Sequence, residues 1–189
     1  SGTSDELNSV YFIDSNTGWI VGRGSTILKT TNGGTNWTPQ GSQNYDPLYS
    51  VFFISSNTGW IAGDDGTILN TIDGGTTWTF QLGGLSGGIL SIYFTDENKG
   101  CAVGAFGRIL TTTDGGTNWN TQSSGTSTHL FGVYFIDSNT GWAVGLGIIL
   151  KTIDGGMNWT VQISGTTNWF NDISFTDTNI GTTVGGNWN

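Results

Sequence analysis

The sequence predicts an all-β fold built from repeats, and three observations carry that reading. Trp37, Trp78, Trp119 and Trp159 stand 41, 41 and 40 residues apart, and Val10, Val51, Ile92, Val133 and Ile173 keep the same step, as do Gly18, Gly59, Gly100, Gly141 and Gly181. Each period holds four runs of about five β-branched, aromatic or small residues, bounded by Gly, Asn, Asp and Ser, with no helical periodicity. Thirty-two glycines against two prolines, interleaved with nine tryptophans and ten phenylalanines, exclude a collagen-like repeat and a flexible linker. A period near 40 residues carrying four strands is the signature of a β-propeller blade. The expected blades cover about 7–47, 48–88, 89–129 and 130–169, with a partial fifth over 170–189.

The elements follow in order along each repeat. The first strand is NSVYFI, matched by YSVFFI, LSIYFT, FGVYFI and NDISFT. One four-stranded sheet cannot bury both faces alone, so Phe12, Phe53, Phe94, Phe135 and Phe175 are expected between neighbouring blades. Ser9, Ser50, Ser91 and Gly132 suit a crowded centre where first strands converge. A polar turn, DSNTG in the first and fourth copies, leads to the second strand: GWIVG, GWIAG, GCAVG, GWAVG and GTTVG. The third strand is TILKT, TILNT, RILTT or IILKT, and a fourth such as NWTPQ or TWTFQ closes the blade. The last copy stops after its second strand. An open sheet edge is an aggregation hazard, so a piece of a longer propeller is the expected reading. The alternative is an edge covered by another copy or chain along Gly181 to Trp188.

Between the third and fourth strands lies TTNGGTNW, TIDGGTTW, TTDGGTNW or TIDGGMNW. Asp73, Asp114 and Asp154 stand where a carboxylate accepts backbone N–H groups across a turn, and Asn32 makes an Asx-type bond in the first copy. The paired glycines supply positive φ. Trp37, Trp78, Trp119 and Trp159 pack over the turn and offer an indole N–H. The motif is a structural turn, not a catalytic device.

The pattern Ser/Thr-x-Asp-x-Gly-x-x-Trp resembles the Asp-box, or BNR repeat, of sialidases and other propellers. The whole unit is similar to repeats of the photosystem II assembly-factor family and related secreted bacterial propellers, over nearly the full chain. The resemblance implies that the box is remote from any active site. It also implies an arginine-rich working surface for the assembly factors and a cluster of three arginines for a sialidase. This chain has only Arg23 and Arg108, with three lysines.

Comparing repeats with one another locates a candidate face. Loops joining strands one to two and three to four are nearly uniform. Those joining two to three (GRGST, GDDGT, GAFGR, GLGI) and each blade to the next (QGSQNYDPL, QLGGLSGGI, QSSGTSTHL, QISGTTNWF) vary, as loops bearing specific contacts do. The candidate binding residues there are Arg23, Tyr45, Tyr49, Asp64, Asp65, Phe106, Arg108, His129, Phe131, Trp169 and Trp188. Aromatics beside Asn and Asp suit a protein segment or a glycan.

Composition narrows the classes further. The formal net charge is −9, and the five basic residues never cluster, which argues against nucleic acid or an anionic membrane as partner. No apolar run is long enough to span a bilayer. A single histidine and a single cysteine argue against a His-based metal site, a serine triad and an internal disulfide; no metal and no cofactor are expected. Few lysines among many Thr, Asn and Gly residues point to a secreted bacterial or cell-surface protein, and a chain opening at Ser1 reads as processed or trimmed. The expected function is a non-catalytic structural or interaction module. The alternative is a glycoside-hydrolase-like propeller of sialidase or xyloglucanase type, with Asp46, Asp64, Asp65 and Asp172 as the available acids and its catalytic parts incomplete.

Overall fold

A computed structural model describes residues 2–41 and 47–186. The first sheet takes Leu7–Phe12 (β1), Gly18–Gly22 (β2), Ile27–Thr30 (β3) and Thr38–Pro39 (β4). The second takes Leu48–Phe53 (β5), Gly59–Gly63 (β6), Ile68–Thr71 (β7) and Thr79–Leu82 (β8). The third comprises Ile89–Phe94 (β9), Gly100–Gly104 (β10), Ile109–Thr112 (β11) and Asn120–Gln122 (β12). The fourth holds Leu130–Phe135 (β13), Gly141–Gly145 (β14), Ile149–Thr152 (β15) and Thr160–Gln162 (β16), and Trp169–Phe175 (β17) pairs with Gly181–Gly186 (β18). Every sheet is a meander in sequence order. Four four-stranded blades and a two-stranded fifth match the expected propeller architecture. The chain forms two compact units that divide between Ile92 and Tyr93.

The constant glycine that opens each second strand has a steric cause. Phe12 lies opposite Gly18, Phe53 opposite Gly59 and Phe135 opposite Gly141. A Cβ on Gly18, Gly59, Gly100, Gly141 or Gly181 would fall 2.5–2.8 Å from the ring of its own blade's phenylalanine. The ring therefore lies flat over its cross-strand glycine and turns its other face outward.

In the first unit that face meets the preceding blade. Trp19 on β2 stacks on Phe53 of β5, with centroids 3.5 Å apart and 9° between planes, and both are fully buried. Around them Val21, Ile27, Leu48, Val51, Ile61 and Leu69 close one core drawn from two sheets. In the second unit Cys101, Val103 and Ile109 pack against Leu130, Val133 and Phe135 of the next sheet, and Trp142 and Val144 pack against Phe170 and Ile173 of the last. Core thus forms between blades, as one-sheet burial demands. Phe12 departs from the expected layer: it is 42% exposed, because no described sheet precedes it.

The small residues near the start of each first strand allow neighbouring strands to approach. Ser9 Oγ accepts from the Val51 N–H at 3.4 Å, and Ser50 Oγ from that of Ile92 at 3.4 Å. A Cβ on Gly132 would lie 3.1 Å from the Asp172 backbone. Beside each of these positions the register slips by one residue, between Leu7 and Ser9, Leu48 and Ser50, Leu130 and Gly132, and Phe170 and Asp172. These β-bulges leave Asn8, Tyr49, Phe131 and Asn171 outside the pairing and re-aim their side chains.

Candidate functional site

The four Asp-boxes are built alike. In the second blade the buried Thr71 is the hub: its Oγ donates to Asp73 Oδ1 at 2.9 Å and accepts from the N–H groups of Gly75 at 2.9 Å and Asp73 at 3.3 Å. Asp73 Oδ1 also accepts from the Thr77 N–H at 2.8 Å and Oδ2 from the Thr77 hydroxyl at 2.7 Å. Gly74 and Gly75 take φ of 73° and 91°, which a side chain would strain. Asp114 and Asp154 repeat the pattern, with Asn118 and Asn158 supplying both bonds. These bonds, the side-chain one first, hold the three carboxyls below their ordinary pKa. Asn32 keeps the Oδ1 contacts to Thr30 and the Asn36 N–H.

The box tryptophans meet their own blade's phenylalanine edge-on. Phe12 with Trp37, Phe53 with Trp78, Phe94 with Trp119 and Phe135 with Trp159 have centroids 5.9–6.1 Å apart and planes 84–89° apart. Trp159 donates to the Gly156 carbonyl at 2.8 Å, whereas the buried Nε1 atoms of Trp78 and Trp119 have no partner among the described residues. The Thr hydroxyl and the Asp carboxylate of each acidic box are thus engaged within the turn itself. Sequence reasoning underrated the threonine: Thr30, Thr71, Thr112 and Thr152 are 1–2% exposed and hold each turn together.

Within each unit the variable loops lie at the other end of the sheets from the boxes. In the first unit Arg23 pairs with Glu6 at 2.9 Å, both side chains being largely exposed. Asp64 and Asp65 lie on the β6–β7 turn, closed by the Thr67 N–H donating to the Asp64 carbonyl at 2.8 Å. Asp65 and Gly66 take φ of 49° and 72°, the pair of left-handed residues that a type I′ turn needs and that Asp-Gly supplies readily. Tyr49 projects from its bulge beside this turn, with its ring and Asp64 Oδ1 flanking Gly88.

The second unit carries the more distinctive grouping. Phe106 occupies the same turn position as Asp65, with φ of 60°, and is 60% exposed. A bulky residue in that region is a genuine conformational outlier. Its N–H donates to His129 Nδ1 at 3.0 Å, so the neutral imidazole carries its proton on Nε2. The rings then run in a row: Phe106 to His129 at 5.4 Å, His129 to Phe131 at 6.2 Å and Phe131 to Trp169 at 6.3 Å between centroids. Phe131 is the bulged residue of β13, and Trp169 is 37% exposed. Arg108 is half-buried and lines a shallow depression beside Phe106. Four residues from three separate loop regions of the sequence are thereby gathered into one strip.

Tyr45, Asp46 and Trp188 lie outside the described residues. Asp172 is exposed, and its Oδ1 accepts from the neighbouring Ile173 N–H. Among the described residues no group of three or more His, Cys, Asp or Glu side chains is placed to hold a metal ion. No helix among them is long and apolar enough to cross a membrane.

Comparison with known proteins places this geometry. A family model described as photosynthesis system II assembly factor YCF48 matches residues 2–83 and 80–166. A solved structure described as YCF48 bound to D1 peptide superposes with a TM-score of 0.73 at 25% identity, over 93% of this chain and 59% of that one. YCF48 from Cyanidioschyzon merolae gives 0.71 at 25% identity, over 93% and 62%. An ancestral GH74 enzyme gives 0.77 at 20% identity, over 92% of this chain and 26% of its own, and so shares the fold alone. The chain thus spans about three fifths of the YCF48 structures it matches. No curated protein matches it in sequence. The expected secreted or cell-surface location is overturned here, because the matching family and both 25%-identical structures are photosystem II assembly factors, not secreted surface proteins.

Proposed function

The chain belongs to the photosynthesis system II assembly factor YCF48 family, and from that premise we propose that it is a non-catalytic propeller segment that holds an extended segment of a protein partner against its variable loops. The observation that carries this reading is the aromatic row Phe106–His129–Phe131–Trp169, with Phe106 held in a left-handed conformation that local preference opposes. Strain of this kind persists where the surrounding structure over-determines it, and it concentrates at binding and catalytic positions. Phe106 and Trp169 are exposed and His129 and Phe131 half-buried; rings fixed by neighbours offer contact area at low entropic cost, which is how aromatic anchors serve protein recognition.

Two further features support binding over catalysis. Among the described residues, the acids on this end belong to a turn (Asp64, Asp65) or bond their own backbone (Asp172). The arginine-rich surface that the family resemblance implies has only Arg23 and Arg108 here, and Arg23 is engaged by Glu6. Contact through rings takes the place of contact through guanidinium groups, and a net charge of −9 favours a neutral or basic peptide over an acidic one.

The peptide of the bound relative supplies the test. A fluorescently labelled D1 peptide is titrated with the chain, with a neutral oligosaccharide as competitor. Saturable binding that Trp169→Ala and Phe131→Ala weaken at least tenfold supports the reading. Binding that these changes leave intact would overturn the placement, and displacement by the oligosaccharide would move the partner class to glycan.

A further inference from the structure

The repeats differ at one interblade position in a way that opens a cleft, at the Asp-box end and independent of the aromatic row. In the first repeat Trp19 and Lys29 are cross-strand partners. Trp19 stacks on Phe53 and its Nε1 donates to the Gly74 carbonyl at 3.0 Å. Lys29 donates to the same oxygen at 2.9 Å and lies 5.2 Å from the indole centroid. In the fourth repeat the paired residues are Trp142 and Lys151. Trp142 stacks on Phe175 at 3.8 Å, with Lys151 5.1 Å from its ring.

In the third repeat the same paired positions hold Cys101 and Thr111. Both large side chains are replaced by small ones, and a cleft of about 520 Å³ lies there. Its walls include Cys101, Thr111, Phe135 and Gly155, with Lys99 and Met157 toward solvent. Phe135 and Gly155 are the counterparts of Phe53 and Gly74. Gly74 is buried, whereas Gly155 is half-exposed, and no donor among the described residues reaches its carbonyl. Thr111 Oγ1 accepts from Gln122 at 2.9 Å.

We propose that this cleft binds an indole-sized planar aromatic group carrying an N–H donor, in the place that Trp19 fills in the first repeat. The ring would lie on Phe135, as Trp19 lies on Phe53, and the N–H would donate to the Gly155 carbonyl. Cys101 forms a polarisable floor of the kind that suits aromatic contact. Burial pushes its thiol pKa up, so it stays neutral and unreactive. Pockets left by a missing large side chain accept small aromatics of matching shape when their walls stay put. Two sources could present this chemistry, a free heteroaromatic molecule or a tryptophan side chain of a partner protein.

The test uses 5-fluoroindole followed by fluorine NMR, with fluoronaphthalene and a capped Gly-Trp-Gly peptide as comparisons. Saturable binding of fluoroindole is expected, about three- to tenfold tighter than fluoronaphthalene, the size of one neutral hydrogen bond. Cys101→Trp refills the site and should weaken binding at least tenfold. Cys101→Leu fills less of the cleft and should weaken it in the same direction, which keeps the test decisive if the tryptophan variant does not fold. Tighter binding of the peptide than of fluoroindole assigns the site to a partner's tryptophan, and the reverse order assigns it to a free molecule. Absence of saturable binding, or equal binding to folded Cys101→Trp, overturns the proposal.

Discussion

Replacing Trp19 tests the principle that adjacent blades are joined by an aromatic stack. Trp19→Ala removes a fully buried indole lying 3.5 Å from the Phe53 centroid. Truncation of a buried Trp to Ala typically costs about 3–5 kcal/mol. The Gly74 carbonyl keeps Lys29 as a donor at 2.9 Å, so no buried acceptor is left bare and the estimate stays near ~4 kcal/mol. At roughly 2–4 °C per kcal/mol for a chain of this size, the melting temperature should fall by about 8–16 °C. Trp19→Phe separates the contributions: it retains a ring against Phe53 and loses the indole N–H and part of the area, for about 1–2 kcal/mol. Urea unfolding followed by circular dichroism measures both variants. A cost below about 1 kcal/mol for Trp19→Ala, or equal costs for the two variants, would refute the stack as the blade-to-blade tie.

Other expectations follow from the same contacts. Gly59→Ala places a Cβ 2.5 Å from the Phe53 ring and should cost about 1–3 kcal/mol by overpacking, measurable in the same urea titration. The box carboxyls have folded pKa values below their unfolded ones, so their stabilisation is complete above the unfolded carboxylate range, near ~4, and is lost as pH falls through the folded values. Asp114→Asn should therefore flatten the acid limb of a stability-against-pH curve, and an unchanged limb would contradict the assignment. Phe106→Asn suits the left-handed turn and removes the ring, so it should leave stability within about 1 kcal/mol while weakening peptide binding at least tenfold.

The fold was legible because its signal is repeated. Five copies of the Phe–Gly hairpin and four of the box make strand boundaries and turns visible by alignment of the chain with itself. Topology followed, since consecutive short strands leave little choice but a meander. The candidate strip was legible only in part. Residue type and loop position brought Phe106, His129, Phe131 and Trp169 forward, yet nothing in the sequence said that they would align, because the alignment depends on a β-bulge at Phe131 and on the left-handed turn at Phe106. The bulge adds one unpaired residue without changing the repeat length, so periodicity cannot report it. The cleft at Cys101 shows the converse: GCAVG among GWIVG, GWIAG and GWAVG was visible from the start, but its meaning needed the stack of Trp19 on Phe53. Location was misjudged because composition reflects surface chemistry common to many propellers, whereas family membership rests on the ordered motif.

The central claim is that the chain grips a protein segment through one strip of rings. The most direct measurement is a nitrogen–proton NMR titration of the labelled chain with D1 peptide. The account predicts shifts concentrated at Phe106, His129, Phe131 and Trp169, with the Asp-box amides of Gly75, Gly116 and Gly156 unmoved. Shifts centred on the boxes, or none at saturating peptide, would contradict it.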